Sequence, residues 1–527
     1  MILQDHFRGI APKISEKKLP KSFGTISENV VMRGGKLRPL RGILDVANVS
    51  NAPAMKSLIF RKEDGSWLYS QDMRHYVRSF LPGDQLGFLY YTDQVKPSFV
   101  INGSGAPQDL GIPRPGLVVL NVMDSGDTED PNNTRRSAYK VVWVDGYGRV
   151  GPPSEVVVEN TEVGPGAIIQ VTRPAPPTGN FNGNGAQWYI YRTNTGSNGS
   201  TDYQFVSAVP LATTTFTDNV EPEALNEVIE SDAWIGPPDA LDGLILGPAD
   251  SLFGFTENEV FASEKLIPHA WPYSWGFQQT IRGLAHVNGG VFVATDGAPF
   301  IIAGSEPANM EKINIESSSA CLSSRSLVDM GQAAIYASTN GLYGASGSSV
   351  VNLTDELFDE ESWKAYQPET IRAFKHGKYY VGFYGDTDSN TGFIFDPGTK
   401  DFMTINGPRP TVGTYDPDSD ETHVLYYDGS DLRHGKFDEG SPLSYRWKGG
   451  LQVLPDFTSF VCCRVEADSY PVHLELTGDS ETLSLTISDD DLFMLPGDFE
   501  AKRWTYQVSG EAEVDFIGLF ETLSEVV

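Results

Sequence analysis

Four short apolar runs within residues 252–304 constrain this chain more than any other feature. The text reads LFGFTENEVFASEKLIPHAWP and then IRGLAHVNGGVFVATDGAPFIIAG, with apolar runs at 252–255, 260–262, 291–294 and 300–303. Glu-Asn, Asn-Gly-Gly and Asp-Gly turns separate them, which is how antiparallel hairpins are encoded. The spacing leaves no room for helices between strands, so the stretch predicts a β-meander or blade rather than a βαβ unit. Similar runs before and after it predict an all-β body of repeated small sheets.

The same pattern continues on both sides. SLIF (57–60), SWLYS (66–70), YVRSF (76–80) and LGFLYYT (86–92) read as strands, with KEDG (62–65) as a hairpin turn. AAIYASTNGLYGAS (333–346), KYYVGFYG (378–385), GFIFDPGTKDFMTI (392–405) and HVLYYDGSDLRHGKF (423–437) are strand pairs around glycine turns. Repeated units of this kind predict β-propeller blades, because a single small sheet cannot bury both its faces. WKAYQPETIRAF (363–374) is the stretch that reads best as a short helix, which Pro368 would break.

Three segments break the pattern. Residues 1–45 read as an irregular, extended arm interrupted by Pro12, Pro20 and Pro39. The arm carries a local excess of base: Lys13, Lys17, Lys18, Lys21, Arg33, Lys36, Arg38 and Arg41. Such a terminus is expected to pair with acidic surface or solvent rather than with nucleic acid. Blade-like sequence stops at GIPRPG (111–116) and resumes at LDGLILG (241–247). Between them, after an acidic linker (123–136), SAYKVVWVDGYGRVGPPSEVV, WYIYRTN, YQFVSAV and TTFTD predict an inserted module resembling fibronectin type III domains. From about Leu443 onward, long alternating strands predict a closing β-sandwich. The expected division is therefore an arm at 1–45 that joins a platform, propeller at 46–122, insertion at 123–232, propeller again at 233–442, and platform at 443–527.

Composition narrows the chemistry. The 527 residues carry 39 Lys and Arg against 70 Asp and Glu, a formal net charge of −31. That balance argues against a protein that grips DNA through its phosphates. Cys321 stands alone, and the adjacent Cys462 and Cys463 point to opposite faces of a strand, so buried free thiols in a reducing compartment are expected. Residues 1–18 lack the apolar core of a signal peptide, and no run approaches the ~18 apolar residues of a membrane span.

No catalytic signature emerges. G-x-S-x-G, the phosphate-binding Gly-x-x-x-x-Gly-Lys and His or Cys metal spacings are absent. Dense carboxylates, Glu257 with Glu259 and Asp489–Asp491, read as solvated charge. DTDSNTG (386–392) and DPDSDE (416–421) read as turns rather than calcium loops, their glycine misplaced or missing. His269, in PHAWP, reads as a packed or hydrogen-bonded corner. No catalytic, cofactor-binding or metal residue is assigned, and no cofactor is expected.

One series of segments resembles a known family. NVVMRGGKLRPLRG (29–42), GIPRP (111–115), LFGFTENEVFASE (252–264), PHAWP (268–272), VATDGAPFIIAG (293–304), CLSSRSLV (321–328), YASTNGL (336–342), Leu353-Thr354, RWKG (446–449) and FMLPG with Trp504 occur in the family's order. Together they resemble the nozzle proteins of short-tailed bacteriophages, also called tail tubular protein B or phage stabilisation proteins. The resemblance implies a structural virion protein without enzymatic activity, assembled in the host cytoplasm into a ring at the distal tail end, six copies being the expected number. It implies docking on the adaptor ring, support for fibres or spikes, and passage of genomic DNA through the lumen without specific binding. The inserted module departs from that family. A receptor- or glycan-binding tail propeller and a cell-wall-cleaving tail enzyme are the competing readings. Exposed aromatic residues on the inserted module would favour the former, and a catalytic motif the latter.

Overall fold

A computed structural model describes residues 1–49, 60–61, 65–101, 104–195, 201–386, 391–407, 410–429, 431–479, 481–497 and 499–525. The expected strand at 57–60 and turn at 62–65 lie largely outside these residues, as does most of the 386–392 loop. The chain is all-β, 51% strand and 5% helix.

Six four-stranded antiparallel units follow one another along the chain, five as separate sheets and the fifth as one end of an eleven-stranded sheet. Their leading strands are His75–Arg78, Asp242–Gly247, Ile281–Val287, Val328–Asp329, Arg372–His376 and Pro410–Asp416. The hairpin signals produce them directly. The two-residue turn Asn288-Gly289, with Gly289 at φ 91°, joins Ile281–Val287 to Gly290–Thr295 in the register Val287↔Gly290. Gly290–Thr295 is buried throughout, so its apolar run is continuous rather than alternating.

Separate hydrophobic clusters seal neighbouring sheets. Tyr90, Phe99, Leu244 and Leu252 join the first to the second, and Phe253, Val260, Val291 and Ile302 the second to the third. Phe292, Ile301, Ala334 and Tyr336 join the third to the fourth, and Ile335, Leu342, Tyr380 and Phe393 the fourth to the fifth.

The sixth sheet borrows its outer strand. Leu44–Asn48 pairs antiparallel with Asp431–Lys436, so a segment near the chain start completes a sheet built near residue 430.

The arm at 1–45 is not irregular. It forms the strands Ile2–Gln4, Arg8–Ile10, Phe23–Glu28, Val30–Arg33 and Lys36–Pro39. Pro12 and Pro20 lie in the connection between the second and third of these, where no ladder bond is needed, and Pro39 ends a strand. Its bases pair within the chain: Lys36 with Asp515 at 2.8 Å, and Arg38 with Asp438 at 3.4 Å.

These strands join the C-terminal strands in two sheets. One runs from Val30–Arg33 through Val514–Phe520 and Cys462–Ala467 to Phe493–Met494. The other carries Phe23–Glu28, Tyr445–Gly449, Glu500–Gly510, Val472–Gly478 and Glu481–Ile487. A parallel bridge, Glu28↔Thr404, continues the second into the fifth sheet of the body. Trp447, Trp504 and Tyr506 share one core with Phe374, Val381 and Met403 of that sheet. Cys321, Cys462 and Cys463 are buried and free.

The expected helix at 363–374 sits earlier, at Glu360–Lys364. Asp359 caps it, its side chain accepting from Ser362 N at 2.8 Å. Pro368–Thr370 is a 3-10 turn, and Arg372 begins a strand. The helix stops early because Pro368 cannot donate to it.

Between Asp109 and Asp242 the chain folds into a two-sheet unit. Val119–Asp124, Ile168–Thr172 and Thr215–Asp218 form one sheet; Val150–Pro153, Ala138–Val144, Gln187–Thr195 and Thr201–Pro210 form the main ladder of the other. Tyr139, Val141, Trp143, Val171, Trp188 and Ile190 fill the space between them. The boundary expected at 122/123 falls inside the strand Val119–Asp124, which pairs wholly within this unit.

The unit is docked as well as connected. Tyr147 packs 5.9 Å from the rings of Phe88 and Phe99, and the Arg149 guanidinium sits 4.4 Å above Phe99. Arg149 Nη1 donates to Leu110 O at 2.7 Å.

Candidate functional site

The leading strands of five of the six sheets, and the turn just before that of the fourth, converge on one cavity of about 260 Å³. His75, Asp242, Arg282, Arg372 and Thr411 from those strands and Arg325 from that turn line it. The strands approach closely there because three lining positions are glycine. A Cβ on Gly243, which has φ 61°, would lie 2.2 Å from the Phe255 ring, and one on Gly413 would lie 2.5 Å from Phe374. On Gly283 it would meet Leu327 at 2.9 Å.

The cavity wall is electrically lopsided. On the side of the first two sheets, charges are matched. His75 Nε2 lies 3.4 Å from Asp242 Oδ1, and Gln94 Nε2 donates to Asp242 Oδ2 at 2.6 Å. Arg74 stacks 4.7 Å over Tyr91 and lies 3.7 and 3.9 Å from Asp72 and Asp93. Burial lowers the pKa of His75, against the pull of Asp242.

On the opposite side stand Arg282, Arg325 and Arg372, with no carboxylate at ion-pair distance among the described residues. Arg325 projects from the turn Ser324–Ser326, which is pinned by Ser323 Oγ donating to Ile371 O at 2.7 Å and Tyr380 OH donating to Ser326 O at 2.8 Å. Arg325 Nη2 donates to Thr411 O, and Arg372 Nη1 to Gly385 O at 2.9 Å. Burial, then the charge of Arg372, push the pKa of Arg325 down to about 10. Burial also lowers Arg372, with Asp386 opposing.

The sixth sheet meets the first through charge rather than a shared apolar cluster. Arg78 Nη1 donates to Asp418 Oδ2 at 2.6 Å, and Arg78 Nη2 lies 3.4 Å from Asp416 Oδ1. The run at 416–421 is thus a strand turn: Asp416 accepts from Ser419 Oγ at 2.7 Å and Asp420 adopts φ 55°.

Beside this joint a hydrogen-bonded relay runs through the sixth sheet. Tyr69 OH donates to His434 Nδ1 at 3.1 Å, His434 Nε2 to His423 Nδ1 at 2.9 Å, and His423 Nε2 to Glu421 Oε2 at 3.1 Å. In this direction each neutral imidazole donates from Nε2 and accepts at Nδ1. Trp67 covers both rings, 4.1 Å from His423 and 4.6 Å from His434. Burial, then His423, hold His434 down to about 4. His269 is likewise buried, donating from Nε2 to Val150 O at 2.9 Å, and burial holds it down to about 3.

Acid should therefore destabilise the fold early. Both histidines stay neutral when folded but protonate near pH 6.5 when unfolded, so stability is full above about pH 6.5 and falls as pH drops toward 4. At ~1.4 kcal/mol per pH unit per group, the two together cost about 3–4 kcal/mol between pH 7 and pH 5. Urea denaturation at pH 7, 6 and 5 measures this. His434→Gln should flatten the slope by about half, and equal stability at pH 7 and 5 would contradict the assignment.

The sites weighed in the sequence stay apart. Glu257 and Glu259 flank a turn of the second sheet, while Asp489–Asp491 form an exposed loop between the C-terminal strands. Among the described residues no group of three His, Cys, Asp or Glu could hold a metal ion, and no helix is long and apolar enough to cross a membrane. Sequence reading missed the arginine wall because its members come from segments near 282, 325 and 372. It missed the histidine relay because the two rings meet across adjacent strands.

No family model and no curated protein matches the chain. Among solved structures it is similar to BamB from Moraxella catarrhalis at 11% identity and TM-score 0.30, covering 75% of this chain and 100% of that one. It is also similar to PorZ, a bacterial surface component of the type-IX secretion system of Porphyromonas gingivalis, at 10% identity and TM-score 0.25, covering 62% of this chain. The match spans 43% of PorZ, less than half its length.

Proposed function

We propose that this chain is the nozzle subunit of a short bacteriophage tail, a structural protein whose copies form a ring, six being the expected number, through which the genome leaves. In this reading the six sheets are the blades of a closed propeller, sealed by Leu44–Asn48 on the last blade and by the Arg78 ion pairs. The two-sheet unit at 119–218 is the fibronectin type III-like insertion, and the sheets built from both chain ends are a sandwich platform.

The observation that carries the reading is the platform. Residues 1–39 and 445–520 fold together and share a core with the fifth sheet. The segments that resemble the nozzle family fall on its parts: NVVMRGGKLRPLRG spans the hairpin Val30–Arg33 and Lys36–Pro39, and RWKG lies in Tyr445–Gly449.

DNA would pass between copies, not through one. A cavity of about 260 Å³ cannot admit a duplex whose major groove alone is about 12 Å wide. Chains of net charge −31 around a lumen repel a polyanion and lower friction. Acidic copies also repel one another, so assembly needs apolar contact. The platform exposes Val453, Phe457, Phe493 and Met494 on edge strands, with Phe457 at 65% exposure. The large exposed apolar side chains of the described insertion are aliphatic, among them Val119, Met123 and Val158, which lends no weight to an aromatic glycan-binding face.

Light scattering on the full chain after size exclusion tests the reading. A discrete particle near six times 57.7 kDa is expected, alone or on addition of the tail adaptor. A monomer under both conditions that binds host glycans would overturn it.

A further inference from the structure

Three arginines face one cavity in a protein with a large excess of acid. Arg282, Arg325 and Arg372 come from three consecutive sheets and lack a carboxylate at ion-pair distance among the described residues, although the chain holds 70 Asp and Glu. Arg372 Nε, and Arg74 Nε across the cavity, are buried without a hydrogen-bond partner. Like charges gathered in a partly enclosed space are costly, and an unpaired buried donor adds to that cost. Asp242, the lining carboxylate, is already engaged by His75, Gln94 and the Gly243 amide. The wall is thus arranged to be completed by an anion.

We propose that this cavity binds a small polyanion of the phosphate class, held by the guanidinium groups of Arg282, Arg325 and Arg372. Planar guanidinium forks match tetrahedral oxyanions with paired N–H donors, better than a point-charge ammonium would. The volume of about 260 Å³ suits a diphosphate or a mononucleotide-sized ligand. Arg325 is fixed by its bond to Thr411 O and Arg372 by its bond to Gly385 O, so both present their remaining donors without reordering. Burial and then the charge of Arg372 lower the pKa of Arg325, and a bound anion would offset both. The site lies within one chain, so it stands or falls separately from ring assembly.

Calorimetry of the full chain with sodium pyrophosphate, against sodium chloride at matched ionic strength, tests this. Saturable binding of one pyrophosphate per chain is expected, with a rise in melting temperature that chloride does not reproduce. Arg325→Gln with Arg372→Gln should weaken binding at least tenfold. Arg282 is exposed, so Arg282→Gln leaves the fold intact and should weaken binding several-fold even if the double variant does not fold. A 5′-phosphorylated dinucleotide as second probe separates the source of the phosphate: tighter binding than pyrophosphate assigns a nucleic-acid end, weaker binding a free anion. Absence of saturable pyrophosphate binding, equal stabilisation by chloride, or unchanged affinity in Arg282→Gln would overturn the proposal.

Discussion

Asp218→Ala should destabilise the inserted unit by about 3–5 kcal/mol, the cost of removing one partner from a buried ion pair. Asp218 is fully buried and does three things at once. Its Oδ2 accepts from Arg192 Nη1 at 2.7 Å and from Tyr139 OH at 2.7 Å, and its Oδ1 accepts from Val220 N at 3.0 Å. Arg192 is itself 3% exposed, with Nη2 on Val220 O at 2.7 Å. Deleting the carboxylate leaves Arg192 Nη1, the Tyr139 phenol and the Val220 amide without that acceptor in a buried core.

Asp218→Asn keeps the shape but removes the charge, and should cost less than alanine. Trp143 and Trp188 lie in the same core, so their fluorescence in a urea titration reports on this unit. A first transition shifted to much lower urea is expected; an unchanged midpoint would contradict the role given to Asp218.

Trp447→Ala should be at least as damaging, and its effect should spread through the platform and the adjoining fifth sheet. The indole is fully buried, lies edge-on to Phe7 at 5.0 Å and 87°, and stands 6.0 Å from Tyr506. Its Nε1 donates to Arg8 O at 2.9 Å, tying an N-terminal strand to a C-terminal one. Removing so large a side chain costs about 3–5 kcal/mol, and the orphaned carbonyl adds about 1 kcal/mol. Trp447→Phe keeps most of the volume and should lose little beyond the hydrogen bond. Global denaturation of both variants measures this. A loss under about 1 kcal/mol for the alanine variant would mean that the two chain ends do not depend on one another.

What could be read in the sequence was local. Asn288-Gly289 and its neighbours specify two-residue hairpins, so the meanders of the body follow from turn chemistry and apolar runs alone. The interruption between the first and second sheets also shows in composition, because the acidic stretch at 123–136 breaks the succession of apolar runs.

The rest depends on contacts between distant segments. Leu44–Asn48 is split by the boundary expected at 45/46 because it is mostly exposed and finds its partner strand nearly four hundred residues later. The arm reads as irregular for the same reason: its short strands are completed only by residues 445–520. The arginine wall shows no motif, since Arg282, Arg325 and Arg372 are spaced by sheet period rather than by any local code. Net charge hides it further, because a −31 total says nothing about one basic wall.

Electron microscopy of the purified chain mixed with virion tails tests the central claim most directly. The account predicts a closed ring at the distal tail end, with the platform sheets against the adaptor and a lumen between copies wide enough for duplex DNA. Particles that remain single subunits, or that decorate the tail only through the inserted unit, would contradict it.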